Sequence, residues 1–290
     1  MAVVARSRRT KEALLAYGLL LPVVAVGAVF AYYPLVRIVQ YALFQKYSNS
    51  DQQDFVGVRG IWEVLSSHAF LDGVWITVKF MLYTVPAGLV LGVLLATVAN
   101  RRLRGIKIFQ TVFSSTIASS VAVSSVVFLT LVNKQAGFFR NVGWLDLDTP
   151  AGAMRGVALS SIWQNIGLTF IIVLAGLQAI PDEINEAATL DGYRPIRRFF
   201  KVSMPLISPT LLFLAVILVV SALQAYAQIE ILTRGGPQQS TETLLFKITQ
   251  LQGKTDLQTG ASMALGLFVL TVLVSAGQYL LLSRRVHYAD

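Results

Sequence analysis

The sequence predicts an all-α membrane protein with six transmembrane helices and with both termini on the cytoplasmic side. Apolar residues make up 55% of the 290 residues, charged residues make up only 13%, and the mean hydropathy is +0.64. Soluble globular domains carry about 25% charged residues, so this composition indicates a chain built for lipid. Six apolar stretches reach the length of about 20 residues with which a helix crosses the hydrocarbon core. Lysine and arginine concentrate in alternate connecting segments, which indicates the orientation.

The six predicted spans are apolar runs separated by short polar segments, and together they form a single transmembrane domain over residues 1–290. They cover about residues 13–40, 74–99, 108–132, 157–180, 206–229 and 260–282. The first run follows a basic N-terminus, as in a signal peptide. It is longer than the roughly 7–15 apolar residues of a signal sequence, and no small-residue cleavage pattern follows it. We therefore expect it to be kept as the first transmembrane helix.

Spans two and three carry small residues at helical spacing. In span two, Gly88 and Gly92 lie one helical turn apart, a spacing that allows close helix packing but also occurs by chance in apolar helices. In span three, small side chains recur at i, i+3, i+4 and i+7: Ser115, Ala118, Ser119 and Ala122. We expect this stripe to be buried against another helix, either in this chain or in a partner subunit.

Neutral polar side chains occur in spans four and five, where charged residues are scarce. They are the amides Gln164, Asn165, Gln224 and Gln228. Buried amides can bond to hydroxyl-rich solutes, and they can equally bond to one another across helices, so both roles are open. Lys79 lies near the outer end of span two, where its long side chain can reach the membrane interface or contribute to a solute pathway. These five residues are the candidates for a substrate pathway.

The orientation follows from the basic residues, because cytoplasmic segments of membrane proteins carry an excess of lysine and arginine. Clusters lie in the N-terminal segment, after span two, after span four and after span six: Arg6, Arg8, Arg9 and Lys11; Arg101, Arg102, Arg104 and Lys107; Arg194, Arg197, Arg198 and Lys201; Arg284 and Arg285. The formal net charge of +9 is also typical of nucleic-acid-binding proteins. Since the cations follow the topology, anionic lipid is the simpler partner, and we predict no nucleic acid partner.

The chain lacks the residues that several classes of function require. The chain has no cysteine, which excludes disulfides and thiolate chemistry, and His68 and His287 are too far apart in sequence to suggest a metal site. An ion-driven secondary transporter is expected to carry acidic residues in the middle of its spans, and we find none there. A membrane enzyme needs a nucleophile with a neighbouring base, and we find no such pair. Gly253-Lys254-Thr255 resembles the end of a phosphate-binding loop, but Ile248 stands where the first glycine belongs. We therefore expect no cofactor in this chain.

The segment between spans four and five, residues 181–205, is the most informative part of the sequence. It is too polar for the bilayer and too short for a domain, and its apolar residues predict two short helices joined at Gly192. Glycine readily takes the left-handed conformation that ends a helix, and Pro195 suits the start of the next helix. Such an element can lie on the inner lipid surface or grip a partner protein, and the physical pattern alone leaves both open.

Three short motifs occur in register within this segment: Glu186-Ala187-Ala188, Asp191-Gly192 and Met204-Pro205. They resemble the EAA loop of permease subunits of binding-protein-dependent ABC importers. Leu232-Thr233-Arg234-Gly235-Gly236-Pro237, followed by Thr241-Glu242-Thr243-Leu244, is similar to a segment of the carbohydrate-type, MalF-like permeases. In that family the EAA loop forms a coupling helix that docks into a groove on a cytoplasmic ATPase. The resemblance implies that coupling to the ATPase involves Glu186, Ala187, Ala188, Asp191, Gly192, Arg197, Arg198, Phe199 and Pro205.

The resemblance also implies a subunit of a bacterial plasma (inner) membrane complex that has no energy source of its own. Its expected partners are a second permease subunit in a heterodimer, a dimeric ATPase that binds ATP and Mg²⁺, an extracytoplasmic substrate-binding protein, and the lipid membrane. The inner segment and the tail Ser283-Arg284-Arg285-Val286-His287-Tyr288 are most similar to permeases for glycerol-3-phosphate and glycerophosphodiesters such as glycerophosphocholine. A permease for trehalose, maltose or a similar sugar is the first alternative, and an ion-driven secondary transporter is the second.

Overall fold

The structure is a computed structural model that describes residues 2–46, 53–101, 104–251 and 257–283. These residues form two compact units. The first unit comprises the described residues of Met1–Leu65 and Leu251–Leu265, and the second those of Ser66–Gln250 and Gly266–Asp290. The stretch Gly253-Lys254-Thr255 and the tail from Arg284 lie outside the described residues. The prediction of one domain over residues 1–290 stays a prediction.

A long apolar helix dominates the first unit. Its segments are α1 (Ala2–Gly27), a π-helical turn (Ala28–Tyr32) and α2 (Tyr33–Leu43). The turn precedes Pro34, which has no N–H to donate, and the N–H of Tyr33 bonds to the carbonyl of Ala28, five residues earlier. The stretch Leu15–Leu43 is long and apolar enough to cross a membrane, and its apolar side chains are almost all exposed. It matches the first predicted span.

A short hairpin and an amphipathic helix follow in the same unit: β1 (Phe44–Lys46), β2 (Gln53–Phe55) and α3 (Gly57–Leu65). The strands pair antiparallel, and the ring centroids of Phe44 and Phe55 lie 5.2 Å apart. The hairpin is a local departure from the all-α prediction. The helix that begins at Leu257 packs here through the buried Gln258, whose Nε2 donates to the carbonyl of Ala42 at 3.3 Å.

The second unit is built around three long helices that pack against one another, α4, α7 and α11. In chain order the helices are α4 (His68–Ala99), α5 (Ile106–Ser114), α6 (Val121–Val132), α7 (Pro150–Gln178), α8 (Asp182–Leu190), α9 (Pro195–Arg198), α10 (Met204–Leu206), α11 (Ser208–Leu223), α12 (Ala227–Leu232), α13 (Leu244–Leu251) and α14 (Leu257–Ser283), whose first turns belong to the first unit. Phe170, Val173 and Leu214 lie in a fully buried apolar core. This core fixes the positions of the polar residues described below.

The contact between α4 and α7 depends on a glycine. Gly92 is buried in α4, and a Cβ at this position would overlap the side chain of Thr169 on α7. At Gly88, one turn earlier, a Cβ would have its nearest neighbour, Leu218 Cδ1, at an ordinary 3.8 Å. Of the two glycines, only Gly92 lies at a close helix contact, where the absence of a side chain lets the two helices approach.

In the part of the chain that the structure describes, four helices are individually long and apolar enough to span a membrane. The number rises to six if each of two bent helix pairs counts as one span, in agreement with the six predicted spans. The bent pairs are Ile106–Ala118 with Val121–Val132, at 107°, and Pro195–Leu206 with Ser208–Leu223, at 71°.

Span three is therefore not the continuous helix that the sequence predicts. Ser119 has an extended backbone after a 3-10 turn, and Ser120 starts α6 by accepting the N–H of Val123 on its Oγ at 3.2 Å. A serine hydroxyl satisfies a free N–H at a helix start, so this serine-rich stretch favours a new helix. Ala118 and Ala122 lie on opposite sides of the bend and are exposed. The prediction that these small residues form one continuous helical stripe is therefore wrong, and their burial against a partner subunit stays a prediction.

The fifth predicted span, 206–229, is also interrupted. Its α-helix ends at Leu223, residues 224–226 are irregular, and α12 starts a new helical turn at Ala227. At the other end, Pro209 lacks the N–H that would bond to the carbonyl of Pro205, and the Oγ of Ser208 donates to that carbonyl instead, at 2.6 Å. The chain bends there, at Ile207.

Candidate functional site

The inner segment, residues 181–205, folds into α8 and a second helical stretch, separated by a left-handed turn. The second stretch runs from α9 through a π-helical turn (Phe199–Ser203) into α10. α8 ends at Leu190, with Asp191 as its C-cap residue. Gly192 has φ of +78°, and its N–H bonds to the carbonyl of Thr189 at 3.0 Å. The N–H of Tyr193 bonds to the carbonyl of Ala188, also at 3.0 Å. These two bonds satisfy two carbonyls in the last turn of α8, in the C-cap geometry that glycine permits. The predicted joint at Gly192 is confirmed as a backbone conformation.

Side chains tie the two short helices together. The Nη1 of Arg198 donates to the Oγ1 of Thr189 at 3.0 Å, which links α9 to α8. The guanidinium of Arg197 lies 5.0 Å from the centroid of the Tyr193 ring, within range of a cation–π interaction. Both arginines therefore make contacts within the segment, which holds the two helices in one arrangement around the turn.

Among the exposed side chains of this segment, one carboxylate and several apolar residues form a candidate contact surface. We call it the inner-loop surface and define it by Glu186, Ala187, Leu190, Ile196 and Phe200. Leu190 is 89% exposed and Ile196 is 75% exposed. Arg194, Arg197 and Lys201 are also exposed in this segment, so its charges alone leave both a lipid surface and a protein partner open.

The other predicted coupling residues lie beside this surface. Ala188 is buried within the chain, so only Ala187 of the two alanines is available to a partner. Asp191 is exposed at the end of α8, and Pro205 is partly buried in α10. The ring of Phe199 packs edge-on against that of Phe200, with centroids 5.1 Å apart.

Two of the predicted pathway amides come together between α4, α7, α11 and α12. The buried Gln228 donates from Nε2 to the Oγ of Ser161 at 3.1 Å, and the Nδ2 of Asn165 donates to the carbonyl of Ser161 at 2.9 Å. Both amides border a cavity of about 20 Å³ whose lining consists of Phe80, Thr84, Val85, Ser161, Asn165, Leu218, Ser221, Ala222 and Gln228. A volume of roughly 10–15 Å³ accommodates one water molecule. We call this group the amide cluster.

The remaining predicted pathway residues lie elsewhere. Gln164 points to the neighbouring face of α7, where its Nε2 donates to the carbonyl of Ser119 at 3.4 Å, in the break between α5 and α6. Gln224 is exposed at the end of α11. Lys79 is exposed on α4 with its Nζ 5.1 Å from the centroid of the Trp75 ring, as for a lysine that reaches toward the membrane interface.

Sequence reasoning missed Ser161, Thr84 and Ser221, which complete the lining of the amide cluster. One signal was available, because Ser161 and Asn165 stand four residues apart and therefore share a face of α7. No comparable signal links Ser161 to Gln228, which lies 67 residues further along the chain. Only tertiary packing brings those two together.

The segment after span five forms a compact loop anchored to α4. Thr233 and Thr241 join their hydroxyls at 2.8 Å, and the Oγ1 of Thr243 donates to the carbonyl of Ala225 at 2.9 Å. The N–H of Leu244 donates to the Oγ1 of Thr77 on α4, also at 2.9 Å. Each of these polar groups has a hydrogen-bond partner. The bonds connect the segment to Ala225, just before α12, and to α4, so they fix the position of α12 and of its Gln228 relative to α4.

The connection between α6 and α7, on the predicted outer side, carries an ion-pair cluster. Lys134 contacts Asp148 and Asp146, with a distance of 2.9 Å to the Oδ1 of Asp146. Its hydrogen bonds to Asp148 and Asp146 raise the pKa of Lys134, and the hydrogen bond from Lys134 lowers the pKa of Asp146. Phe138 and Trp144 are exposed in the same connection. No group of three or more His, Cys, Asp or Glu side chains suited to a metal occurs among the described residues.

Comparison with known proteins points to one family. The model of the family described as binding-protein-dependent transport system inner membrane component matches residues 88–288. The sn-glycerol-3-phosphate transport system permease protein UgpA of Brucella abortus biovar 1 (strain 9-941) is 32% identical over 285 residues, which is 95% of this chain and 97% of the relative. The protein of the same name from Yersinia enterocolitica serotype O:8 / biotype 1B is 33% identical over 283 residues, 94% of this chain and 96% of the relative.

Solved structures have the same fold. A chain of a bacterial alginate ABC transporter, in complex with an alginate pentasaccharide-bound periplasmic protein, superposes with a TM-score of 0.83 at 19% identity, over 98% of this chain and 99% of that chain. A second structure, of a bacterial ABC transporter involved in the import of the acidic polysaccharide alginate, gives a TM-score of 0.79 at 21% identity, over 96% and 98%. At these identities the likeness concerns the fold alone.

Proposed function

Because the chain belongs to the family of inner membrane components of binding-protein-dependent transport systems, we propose that it forms half of the translocation pathway for glycerol-3-phosphate or glycerophosphodiesters. As a member of that family it is a multi-pass permease component of an ABC importer, a class of subunit that is not itself an enzyme. The observation that carries the proposed solute is the identity of 31–33% to sn-glycerol-3-phosphate permeases over at least 94% of the chain.

The inner-loop surface is the proposed contact with a dimeric ATPase that binds ATP and Mg²⁺. The two hydrogen bonds around Gly192 and the bond from Arg198 to Thr189 hold the two helical parts of the segment together, which supports a role in transmitting displacement. Glu186 is exposed, so a partner that covers this surface must supply a cation to offset the cost of burying the carboxylate. We expect the ATPase to provide that cation.

Two further partners follow from the proposed role. A second permease subunit covers the exposed polar residues Ser221 and Gln224 at the end of α11, which would otherwise face lipid at a cost in free energy. A substrate-binding protein delivers the solute from the outer side, where the connection between α6 and α7 exposes Phe138 and Trp144. Both termini then lie in the cytoplasm, as the distribution of basic residues predicts.

The amide cluster is the proposed part of the solute pathway in this chain. Asn165 and Gln228 can bond to the hydroxyl oxygens of a glycerol moiety once the pathway opens. The lining of the cluster contains no charged residue, so it does not by itself neutralise a phosphate. We expect the cation for the phosphate to come from outside the cluster, with Lys79 as the candidate in this chain.

The decisive experiment reconstitutes the permease with its second subunit and ATPase in proteoliposomes and measures ATP hydrolysis. Binding protein loaded with glycerol-3-phosphate or a glycerophosphodiester should stimulate hydrolysis, and binding protein loaded with trehalose or maltose should not. Stimulation only by the sugar-loaded protein would support the role as an importer subunit but would show that the solute is a sugar. No stimulation by any loaded binding protein, in a complex that hydrolyses ATP, would contradict the proposed transport role.

The coupling role has its own test in Glu186→Lys, which places a second cation where the ATPase is expected to present one. We expect uptake to be abolished while the subunit still inserts into the membrane at the level of the unmodified chain. Glu63→Lys is the control, since Glu63 is an exposed carboxylate on α3, on the predicted outer side. Normal uptake by the Glu186 variant at unmodified expression would contradict the coupling role.

A further inference from the structure

A cavity of about 520 Å³ lies between the end of α4, the start of α5 and the junction of α7 with α8. Its lining consists of Ala99, Asn100, Arg101, Ile106, Lys107, Gln110, Leu177, Gln178, Ala179, Ile180, Pro181, Asp182 and Asn185. The coupling residues and the amide cluster are not part of this lining. The cavity therefore shares no residue with the inner-loop surface or the amide cluster, although Pro181, Asp182 and Asn185 belong to the inner segment.

The lining has a polar, net positive part and an apolar part. Arg101 and Lys107 are exposed cations that border the cavity, and amide side chains beside them can donate hydrogen bonds to an anion. The carboxylate in the lining belongs to Asp182, in the first turn of α8, where the positive end of the helix dipole partly offsets its charge. Ile106 and Leu177 supply apolar surface on the same cavity.

The position of the cavity defines what can reach it. α4 ends at Ala99 and α7 ends at Gln178, and both helices are membrane-span candidates. The cavity therefore lies at the level where a span ends, on the side that the basic residues predict to be cytoplasmic. A ligand at that depth meets both water and hydrocarbon, so the ligand that fits a cationic and apolar lining is amphiphilic.

We propose that this cavity binds the head-group phosphate of an anionic phospholipid from the inner leaflet, with the glycerol backbone and upper acyl chain against the apolar part. Basic pockets between transmembrane helices on the cytoplasmic side are suited to such head groups. Because Arg101 follows α4 and Asp182 opens α8, the bound lipid joins the end of a transmembrane helix to the start of the inner segment. This inference uses the predicted orientation of the chain but does not depend on the identity of its solute.

The test measures lipid binding directly, on the whole complex with its second permease and ATPase. Phosphatidylglycerol is titrated into the complex in a phosphatidylcholine background, and bound lipid is counted by native mass spectrometry. Each cation near a membrane surface contributes roughly a fivefold gain in affinity for anionic lipid. We therefore expect Arg101→Ala with Lys107→Ala to weaken phosphatidylglycerol binding by about 25-fold, and Arg101→Lys with Lys107→Arg to retain it.

Arg104→Ala is the matched control, because Arg104 is an exposed cation in the same connection that does not line the cavity. It should retain the affinity of the unmodified complex. Equal loss in the Arg104 variant, or unchanged binding in the double alanine variant, would overturn the site. Binding of phosphatidylcholine as tightly as phosphatidylglycerol would overturn its preference for anionic lipid.

Two other occupants give distinct results, and each would also overturn the proposal. Inorganic phosphate at millimolar concentration should leave bound phosphatidylglycerol in place, and its displacement would indicate a site for a free anion. Loss of the ATPase subunit from the double alanine variant at every lipid composition would indicate a protein in the cavity. Neither measurement depends on uptake, so failure here is distinguishable from failure of the proposed transport role.

Discussion

Gly192→Ala tests whether the left-handed turn of the inner segment must keep its shape for the permease to act on its ATPase. Gly192 has φ of +78°, and a Cβ built at this position would meet no atom within 4 Å. The substitution therefore changes the backbone energy without adding a clash. A left-handed backbone costs an L-residue about 1–2 kcal/mol. That cost shifts the equilibrium away from the observed turn by about five- to thirtyfold.

Gly105 offers a matched control, because its φ is +82° and the space around its Cβ is equally open. It precedes α5, outside the inner segment. Gly105→Ala should lower the melting temperature of the purified complex by about as much as Gly192→Ala, since the backbone cost is the same. Only Gly192→Ala should reduce the ATP hydrolysis that loaded binding protein stimulates. Gly192→Asn should recover part of that activity, because asparagine enters the left-handed region more readily than alanine.

Two results would refute this reasoning. If both alanine variants lost stimulated hydrolysis equally at equal melting temperatures, general destabilisation would be the cause. If Gly192→Ala kept full stimulated hydrolysis despite a lowered melting temperature, coupling would not require the turn. The assay needs both readouts, melting temperature and stimulated hydrolysis, on the same preparations.

Three further predictions follow from the packing and exposure of single residues. Gly92→Ala should destabilise the complex by about 1–3 kcal/mol, as overpacking does, while Gly88→Ala, with an ordinary neighbour distance of 3.8 Å, should leave the melting temperature nearly unchanged. Because the chain has no cysteine, Arg104→Cys, at an exposed position outside the inner-loop surface, should react with a membrane-impermeant maleimide only in inside-out vesicles. Trp144→Cys should react only in intact cells, and the reverse pattern would overturn the orientation. Gln228→Leu should raise the solute concentration for half-maximal uptake about fivefold, the value of one hydrogen bond of about 1 kcal/mol, and an unchanged uptake curve would remove the amide cluster from the pathway.

Local features of the structure agree with the sequence where a residue's own chemistry decides the conformation. Gly192 takes the left-handed conformation because no side chain opposes it, and Pro195 starts α9 because its φ is already helical. The break in span three shows the limit of the same reasoning. Ser120 is a good helix start, but a count of apolar residues treats Ser119 and Ser120 as ordinary members of a span.

The sequence by itself determined that this chain is a membrane protein with apolar runs of spanning length and a jointed polar segment between the fourth and fifth. Run length, charge distribution and backbone preference are properties of neighbouring residues, so they can be read without a fold. Tertiary structure alone decided that Asn165 and Gln228 share a cavity while Gln164 bonds to Ser119. Successive residues on a helix point about 100° apart, so which amide meets which helix depends on the packing of α7 against its neighbours, a contact between residues far apart in the chain.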